Sequence, residues 1–236
     1  MISVCVPTFR GGDRLRKLLF TLPEDIQLIV GDDASGEEAS GTIKAAVYTR
    51  WISGGCLLEV SPTNRGVVQT MRSLIGLATG EIILQLDDDV VIPEGFFETL
   101  RSLMGLPNVG VLAWRSKGTR PGQSTDPVPG FLQPATQLAS YCMAFRRDVY
   151  EAVGGYDTRF RMYCGDSDLA LRVCLSGRPC YRVWWPLVPH EEHASFSERE
   201  TDRLAIARAD LAAFHEKWGA MGDEMEKRAL AKLGET

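Results

Sequence analysis

The chain has 236 residues, of which 44% are hydrophobic and 24% charged, and its formal net charge is −5. That length and balance suit one large folded domain with a substantial core, and exclude a disordered chain or one needing covalent staples. A protein held mainly by nucleic-acid phosphates would be basic, so the acidic balance speaks against that class. In chain order, Ile2–Val6 predicts a buried strand ended by Pro7. Arg14–Leu22 is amphipathic, with Leu15, Leu18, Leu19 and Leu22 on one face. Gln27–Val30 predicts the next strand, ended by Gly31-Asp32-Asp33, and Glu37–Trp51 a helix. Cys56–Val60 is a third strand, Val67–Ala78 a helix closed by Thr79-Gly80, and Ile82–Leu86 a fourth strand running into Asp87-Asp88-Asp89. Strands spaced by helices predict parallel βαβ units, an α/β fold with a central, mostly parallel sheet flanked by helices. Ligands of such sheets collect beyond the carboxyl ends of the strands, and both acidic clusters fall there.

The second half changes character. Glu94–Met104 predicts a helix, Val109–Trp114 a strand, and residues 115–130 a loop too long for a routine connection. A strand around Ser140–Arg146, a helix at Arg147–Val153 stopped by Gly154-Gly155, a helix over Asp166–Ser176 and a strand at Cys180–Trp184 follow. In the tail, Leu204, Ala207, Leu211, Phe214 and Trp218 recur at helical spacing and predict a packing face.

Asp87-Asp88-Asp89 is the sharpest chemical feature. On extended backbone Asp87 and Asp89 face one way and Asp88 the other. Adjacent carboxylates repel unless a cation or proton relieves them, and oxygen ligands suit Mg2+ or Mn2+. The plainer alternative is a solvated acidic turn. Asp32 and Asp33 could accept hydrogen bonds from a base or a ribose, or could equally start the next helix. Asp168 lies four residues before Arg172, which predicts a surface ion pair. Asp166 shares the inward face with Leu169 and Val173 and is the better candidate for a general base; its alternative is an N-cap. The helix N-terminus favours its ionised form. His190 and His193 do not form a His-Glu-x-x-His pair, because residue 194 is alanine. One of them could join the aspartates from a distant segment. No glycine-rich phosphate loop is present, so phosphate charge would fall to the cation and to Arg10, Arg65, Arg72, Arg115, Lys117 or Arg120.

Cys5, Cys56, Cys142, Cys164, Cys174 and Cys180 form no Cys-x-x-Cys pair, and several sit in apolar runs as small hydrophobes. The first residues lack a basic flank and a signal-length apolar core, and no run is apolar enough to span a bilayer. The expectation is a cytoplasmic protein without a transmembrane segment, meeting a membrane at most at its surface.

The order of these elements resembles the family-2 glycosyltransferases, which have the A-type (GT-A) nucleotide-sugar fold. The resembling stretches are Ser3–Arg10, Ile29–Ser35, Asn64-Arg65-Gly66, Ala78–Val90 with Pro93, Gly154–Asp157 with Phe160, and Gly165–Arg172 with Gly177. The resemblance implies a single GT-A-like domain over residues 1–200, with a nucleotide-binding half (1–90), an acceptor-binding half (91–200) and a helical tail over 201–236. It implies a donor site of Pro7, Thr8, Arg10, Asp32, Asp33, Asn64, Arg72, Asp87 and Asp88. The implied metal ligands are Asp87, Asp89 and His190, holding Mn2+ or Mg2+, and the implied catalytic base is Asp166. Gly165 stands where the family usually has Glu, and Arg72 where it commonly has Asn. The implied activity is inverting, divalent-metal-dependent transfer of a sugar from a nucleoside-diphosphate donor to a hydroxyl of a glycan, lipid, protein or small molecule, nucleic acid being disfavoured. Rival readings are a nucleotidyltransferase, for which residues 7–14 lack the glycine-rich basic loop, and a non-catalytic nucleotide-sugar-binding protein.

Overall fold

In the computed structural model, residues 1–115, 132–135, 138–190 and 200–220 are described, the side chains of 51–54, 200 and 201 excepted. The elements run β1 (Ile2–Thr8), α1 (Gly12–Thr21), β2 (Gln27–Asp32), α2 (Glu37–Gly54), β3 (Cys56–Val60), α3 (Val67–Leu77), β4 (Ile82–Leu86) and α4 (Phe96–Met104). They continue with β5 (Val111–Trp114), β6 (Leu132–Pro134), β7 (Cys142–Arg146), α5 (Arg147–Ala152), α6 (Gly165–Leu175), β8 (Cys180–Val183) and α7 (Glu200–Trp218). Most of the predicted loop over 115–130 lies outside the described residues.

The strands form one eight-stranded sheet in the order β3-β2-β1-β4-β7-β5-β8-β6. β1, β2, β3 and β4 pair in parallel, as do β5 and β8, whereas β7 runs antiparallel between β4 and β5. Every residue of β1 is buried, as expected of a central strand covered on both faces. Pro7 does not end it, contrary to the sequence expectation. On the β4 side the pairing stops at Cys5, so the missing Pro7 amide faces no ladder there, while on the β2 side Pro7 still aligns with Gly31.

Period-2 alternation feeds two hydrophobic layers. Val4, Val6, Leu112, Trp114 and Ala144 point to the layer covered by α1, α2 and α4, with Leu15, Leu18, Ile43, Phe96 and Leu100. Cys5, Val111, Met143 and Phe145 point to the other layer, with Met71, Leu74, Leu169, Leu211 and Phe214 from α3, α6 and α7. Leu211, Phe214 and Trp218 of the tail stripe therefore pack into the same core as α3 and α6. Among the described residues no helix is long and apolar enough to cross a membrane.

The carboxyl ends of β1, β2 and β4 lie along one edge. β7 enters from that edge, because it opposes β4 with Cys142 across from Leu86. Topology thus brings Thr8, Asp32, Asp87 and the residues just before Cys142 to a common rim.

Candidate active site

The acid triplet leaves β4 in a turn. Its middle carboxylate faces away from the other two: Asp88 accepts from Thr8 Oγ1 at 2.5 Å and from Arg14 Nε at 3.1 Å. Burial pushes the Asp88 carboxyl up, and the Arg14 charge and the Thr8 hydrogen bond oppose that. Gly11 makes room for the arrangement, since a Cβ there would stand 1.9 Å from Asp88 Oδ2. Asp88, carried with the donor set in the sequence reading, is thereby engaged in tying β1 and α1 to the end of β4.

Asp87 and Asp89 meet His190. An isolated bridge sets Val90 against His190 and brings the imidazole to the rim from a distant segment. His190 Nε2 lies 3.1 Å from Asp89 Oδ1 and 3.8 Å from Asp87 Oδ2. Ligand atoms of the three residues fall within 4.8 Å of one another. Among the described residues, Asp89 Oδ1 is buried and accepts no hydrogen bond, its near polar neighbour being the His190 Nε2 at 3.1 Å. A buried carboxylate oxygen left in that state is costly, and a cation relieves it. The Asp87 carboxyl is pushed up to about 7 by burial and by the Asp89 charge, against the pull of His190. About a third of its side chain (34%) stays open, so water screens part of that repulsion. Two carboxylates and one imidazole in this state fit a divalent ion that tolerates oxygen and nitrogen donors. His193 lies outside the described residues.

Asp166 opens α6. Its Oδ1 accepts the Ser167 amide at 2.8 Å and its Oδ2 the Ser140 amide at 3.1 Å. Desolvation pushes its carboxyl above the usual range, and these hydrogen bonds moderate the rise. The helix N-terminus therefore does not win outright, as the sequence alone suggested. The charge of Asp166 also adds to the upward push on Asp87. The link between them is short: Ser140 holds Asp166, and the carbonyl of the next residue, Tyr141, accepts the Asp87 amide at 2.9 Å. Gly165 is buried against Val68, and a Cβ would meet Val68 Cγ2 at 2.7 Å, so a side chain at that position would have to displace Val68.

The remaining predicted residues divide into those that frame the rim and one that leaves it. Asp32 accepts from the Ser35 amide at 3.0 Å and from the Ser40 hydroxyl. Asp33 accepts the Arg65 and Gly66 amides, each at 2.8 Å, and its own carbonyl accepts from Asn64 Nδ2. Both carboxylates are buried and hold the 33–36 and 64–66 turns. Arg10 adopts a positive φ of 55° and donates its amide to Ser35 Oγ. Arg72 is elsewhere: its Nη1 donates to the Tyr156 and Gly154 carbonyls at 2.5 and 3.2 Å. It lines a separate cleft of about 400 Å3 with Tyr156, Asp157, Arg172 and Lys217. The expected surface pair Asp168–Arg172 forms at 2.6 Å, but Asp168 is 0% exposed. Its other oxygen takes Lys217 Nζ at 2.6 Å and Trp218 Nε1 at 3.0 Å, both from α7. Sequence reasoning missed that role, and it missed Tyr141 and Ser140, whose importance comes from register across β4 and β7.

The architecture defines the class. A mannosyltransferase of Pyrobaculum calidifontis, PcManGT, solved in complex with GDP-Man and Mn2+, matches with a TM-score of 0.61 at 21% identity, over 76% of this chain and 53% of that one. TarS of S. aureus (residues 1–349), in complex with UDP-GlcNAc, matches with a TM-score of 0.64 at 16% identity, over 91% of this chain and 66% of that one. At these identities the likeness shows the fold, which is that of the GT-A glycosyltransferases. Residues 3–163 match the profile of glycosyl transferase family 2, and the chain belongs to that family. The O-antigen biosynthesis protein RfbC of Myxococcus xanthus is 25% identical over 263 aligned residues, covering 94% of this chain and 20% of that protein. The chain thus spans about a fifth of that relative and about half of PcManGT.

Proposed function

We propose that the chain is an inverting, divalent-metal-dependent glycosyltransferase that moves a sugar from a nucleoside-diphosphate donor to an acceptor hydroxyl. The observation that carries this reading is the convergence of Asp87, Asp89 and His190 with Asp166 on one rim, joined through Ser140 and Tyr141. Asp166 receives the acceptor proton as the hydroxyl oxygen forms its bond to the anomeric carbon. The bond from that carbon to the diphosphate oxygen breaks, and its electron pair leaves with the nucleoside diphosphate. One displacement inverts the anomeric centre. The upward shift of the Asp166 carboxyl makes it a stronger proton acceptor than an exposed Asp, while the Ser140 and Ser167 amides keep it aimed. Mn2+ or Mg2+ held by Asp87, Asp89 and His190 would supply electrostatic stabilisation for the diphosphate as its charge grows. Pro7, Thr8, Arg10 and Asn64 frame the donor side. Asp32 and Asp33 act there through the turns they hold. Arg72 is not needed for phosphate contact in this reading, and residues 1–90 form the donor half of the domain. The GDP-Man and UDP-GlcNAc bound by the two structural neighbours support a nucleotide-sugar donor.

The test is a panel of nucleoside-diphosphate sugars with and without Mn2+, read by thermal shift and by release of nucleoside diphosphate. One nucleotide series should stabilise the protein only with Mn2+ and be turned over to nucleoside diphosphate. Release of pyrophosphate would instead establish a nucleotidyltransferase, and binding with no turnover a non-catalytic binder. The pH dependence has a definite sign. A carboxyl raised in the folded state above its unfolded value penalises the folded apo-protein, and the penalty grows as pH rises from about 4 towards 7. Bound cation cancels that penalty and must displace the proton below pH 7. The Mn2+-induced rise in melting temperature should therefore be larger at pH 8 than at pH 6, and Mn2+ affinity should fall by up to about tenfold per unit of pH below 7. Equal shifts at the two pH values would detach Asp87 from the cation.

A further inference from the structure

Resting on that reading, we propose that Tyr141 is a positioning residue that sets the orientation of the His190 imidazole and locks the metal ligands to the base. The Tyr141 and His190 rings are stacked, with centroids 4.5 Å apart and planes 10° from parallel. The Tyr141 ring is itself pinned at its far end, where its hydroxyl donates to the Trp114 carbonyl at 2.5 Å. Trp114 is the last residue of β5 and is fully buried against Phe96, so the anchor sits on the rigid core. The backbone of Tyr141 is equally fixed. Cys142 is paired with Leu86 across β7 and β4, and the Tyr141 carbonyl takes the Asp87 amide.

The consequence follows from geometry. An imidazole can rotate about its Cβ–Cγ bond and present either nitrogen or its edge to a ligand. A flat ring held parallel against one face removes most of that freedom while leaving the edge with Nε2 directed at Asp87 and Asp89. The same two-residue segment reaches the other half of the chemistry, since the Ser140 amide holds Asp166. Displacing the Tyr141 ring thus disturbs the cation ligands first and the base second.

The experiment compares wild-type protein, Tyr141→Phe and Tyr141→Leu in two donor-free measurements. Calorimetric titration with Mn2+ should give an affinity within about threefold of wild type for Tyr141→Phe, which keeps the ring. Tyr141→Leu, which removes it, should weaken binding by about 10–100-fold, as loss of a ligand's supporting partner typically does. In the metal-free protein, His190 ring protons, identified by their loss in His190→Ala, should be shifted upfield by the facing ring in wild type and Tyr141→Phe, and return to ordinary positions in Tyr141→Leu. Tyr141→Leu binding Mn2+ as wild type does would overturn the proposal and leave the metal-site reading intact. Wild-type protein that binds no Mn2+ would remove that reading, and this one with it. If Tyr141→Leu does not fold, the wild-type and Tyr141→Phe spectra still decide, because absence of the upfield shift overturns the stacking role.

Discussion

Asp166→Asn is expected to lower sugar transfer by about 10²–10⁴-fold, the usual contribution of a positioned base, while the variant folds and melts as wild type does. Asparagine preserves the shape of the side chain and can still accept one of the two amides, from Ser140 or Ser167, that the carboxylate holds. What it loses is the ability to take a proton. The sign of the stability effect is set by burial, which raises the carboxyl above its unfolded value. That raised group contributes stability only at low pH and loses it as pH rises through its folded value, so the charged form burdens the fold. Removing the charge should leave the melting temperature at pH 8 unchanged or slightly higher. Donor affinity should also hold, because Asp166 lies outside the Asp87, Asp89 and His190 group. The measurements are initial rates of nucleoside-diphosphate release with acceptor present, and melting curves at pH 8 with donor and Mn2+. Turnover near the wild-type rate would take Asp166 out of the chemistry. Lost turnover together with a large drop in melting temperature would make it structural.

The features legible in the sequence are those fixed locally. β3 and β4 have the bounds that their composition predicts, since Gly55 precedes one and the acid triplet ends the other. The opposite facing of Asp88 and its neighbours followed from strand alternation, even though the backbone there is a turn. What could not be read depends on partners distant in sequence. Nothing in Cys142–Arg146 says that it runs antiparallel between β4 and β5, because direction is set by pairing. β6, three residues with a proline at its end, carries too little pattern to be seen. Grouping His190 with the aspartates came from resemblance, as spacing alone does not join residues 89 and 190. Tyr141 was invisible for the same reason. The sequence did hold one unused signal. Asp210 follows Ala207 by three and precedes Phe214 by four, so it sits on the apolar face of α7, where an acid needs a reason. The reason is that it accepts the backbone amides of Arg161, Met162 and Tyr163 at 2.9, 2.8 and 2.7 Å, fixing the segment that leads into α6.

Two residues along from the base, Asp168→Asn should do the reverse: weaken the fold and spare the chemistry. Asp168 is fully buried and serves three donors, Arg172 from its own helix and Lys217 and Trp218 from α7. Arg172 and Lys217 are themselves only 18% and 20% exposed, so removing the shared negative charge strands two poorly solvated cations. Breaking a buried pair typically costs about 3–5 kcal/mol. The low end, about 3 kcal/mol, applies because Lys217 keeps Asp157 at 2.9 Å and both cations retain some water. For a domain of this size that is a fall of about 6–12 °C in melting temperature. The weakened contact is the one between α6 and α7, so limited proteolysis should cut α7 first. Asp166 lies on the other side of α6 and is held by Ser140 from β7's approach, so transfer below the melting transition should stay within about threefold of wild type. A melting temperature within about 2 °C of wild type would mean that Arg172 and Lys217 find water in the folded state and that α7 is held by its other contacts, Leu211, Phe214 and Asp210 among them. Two aspartates two residues apart on α6 thus answer to different measurements, because a helix turns the first towards Ser140 and the second to the tail.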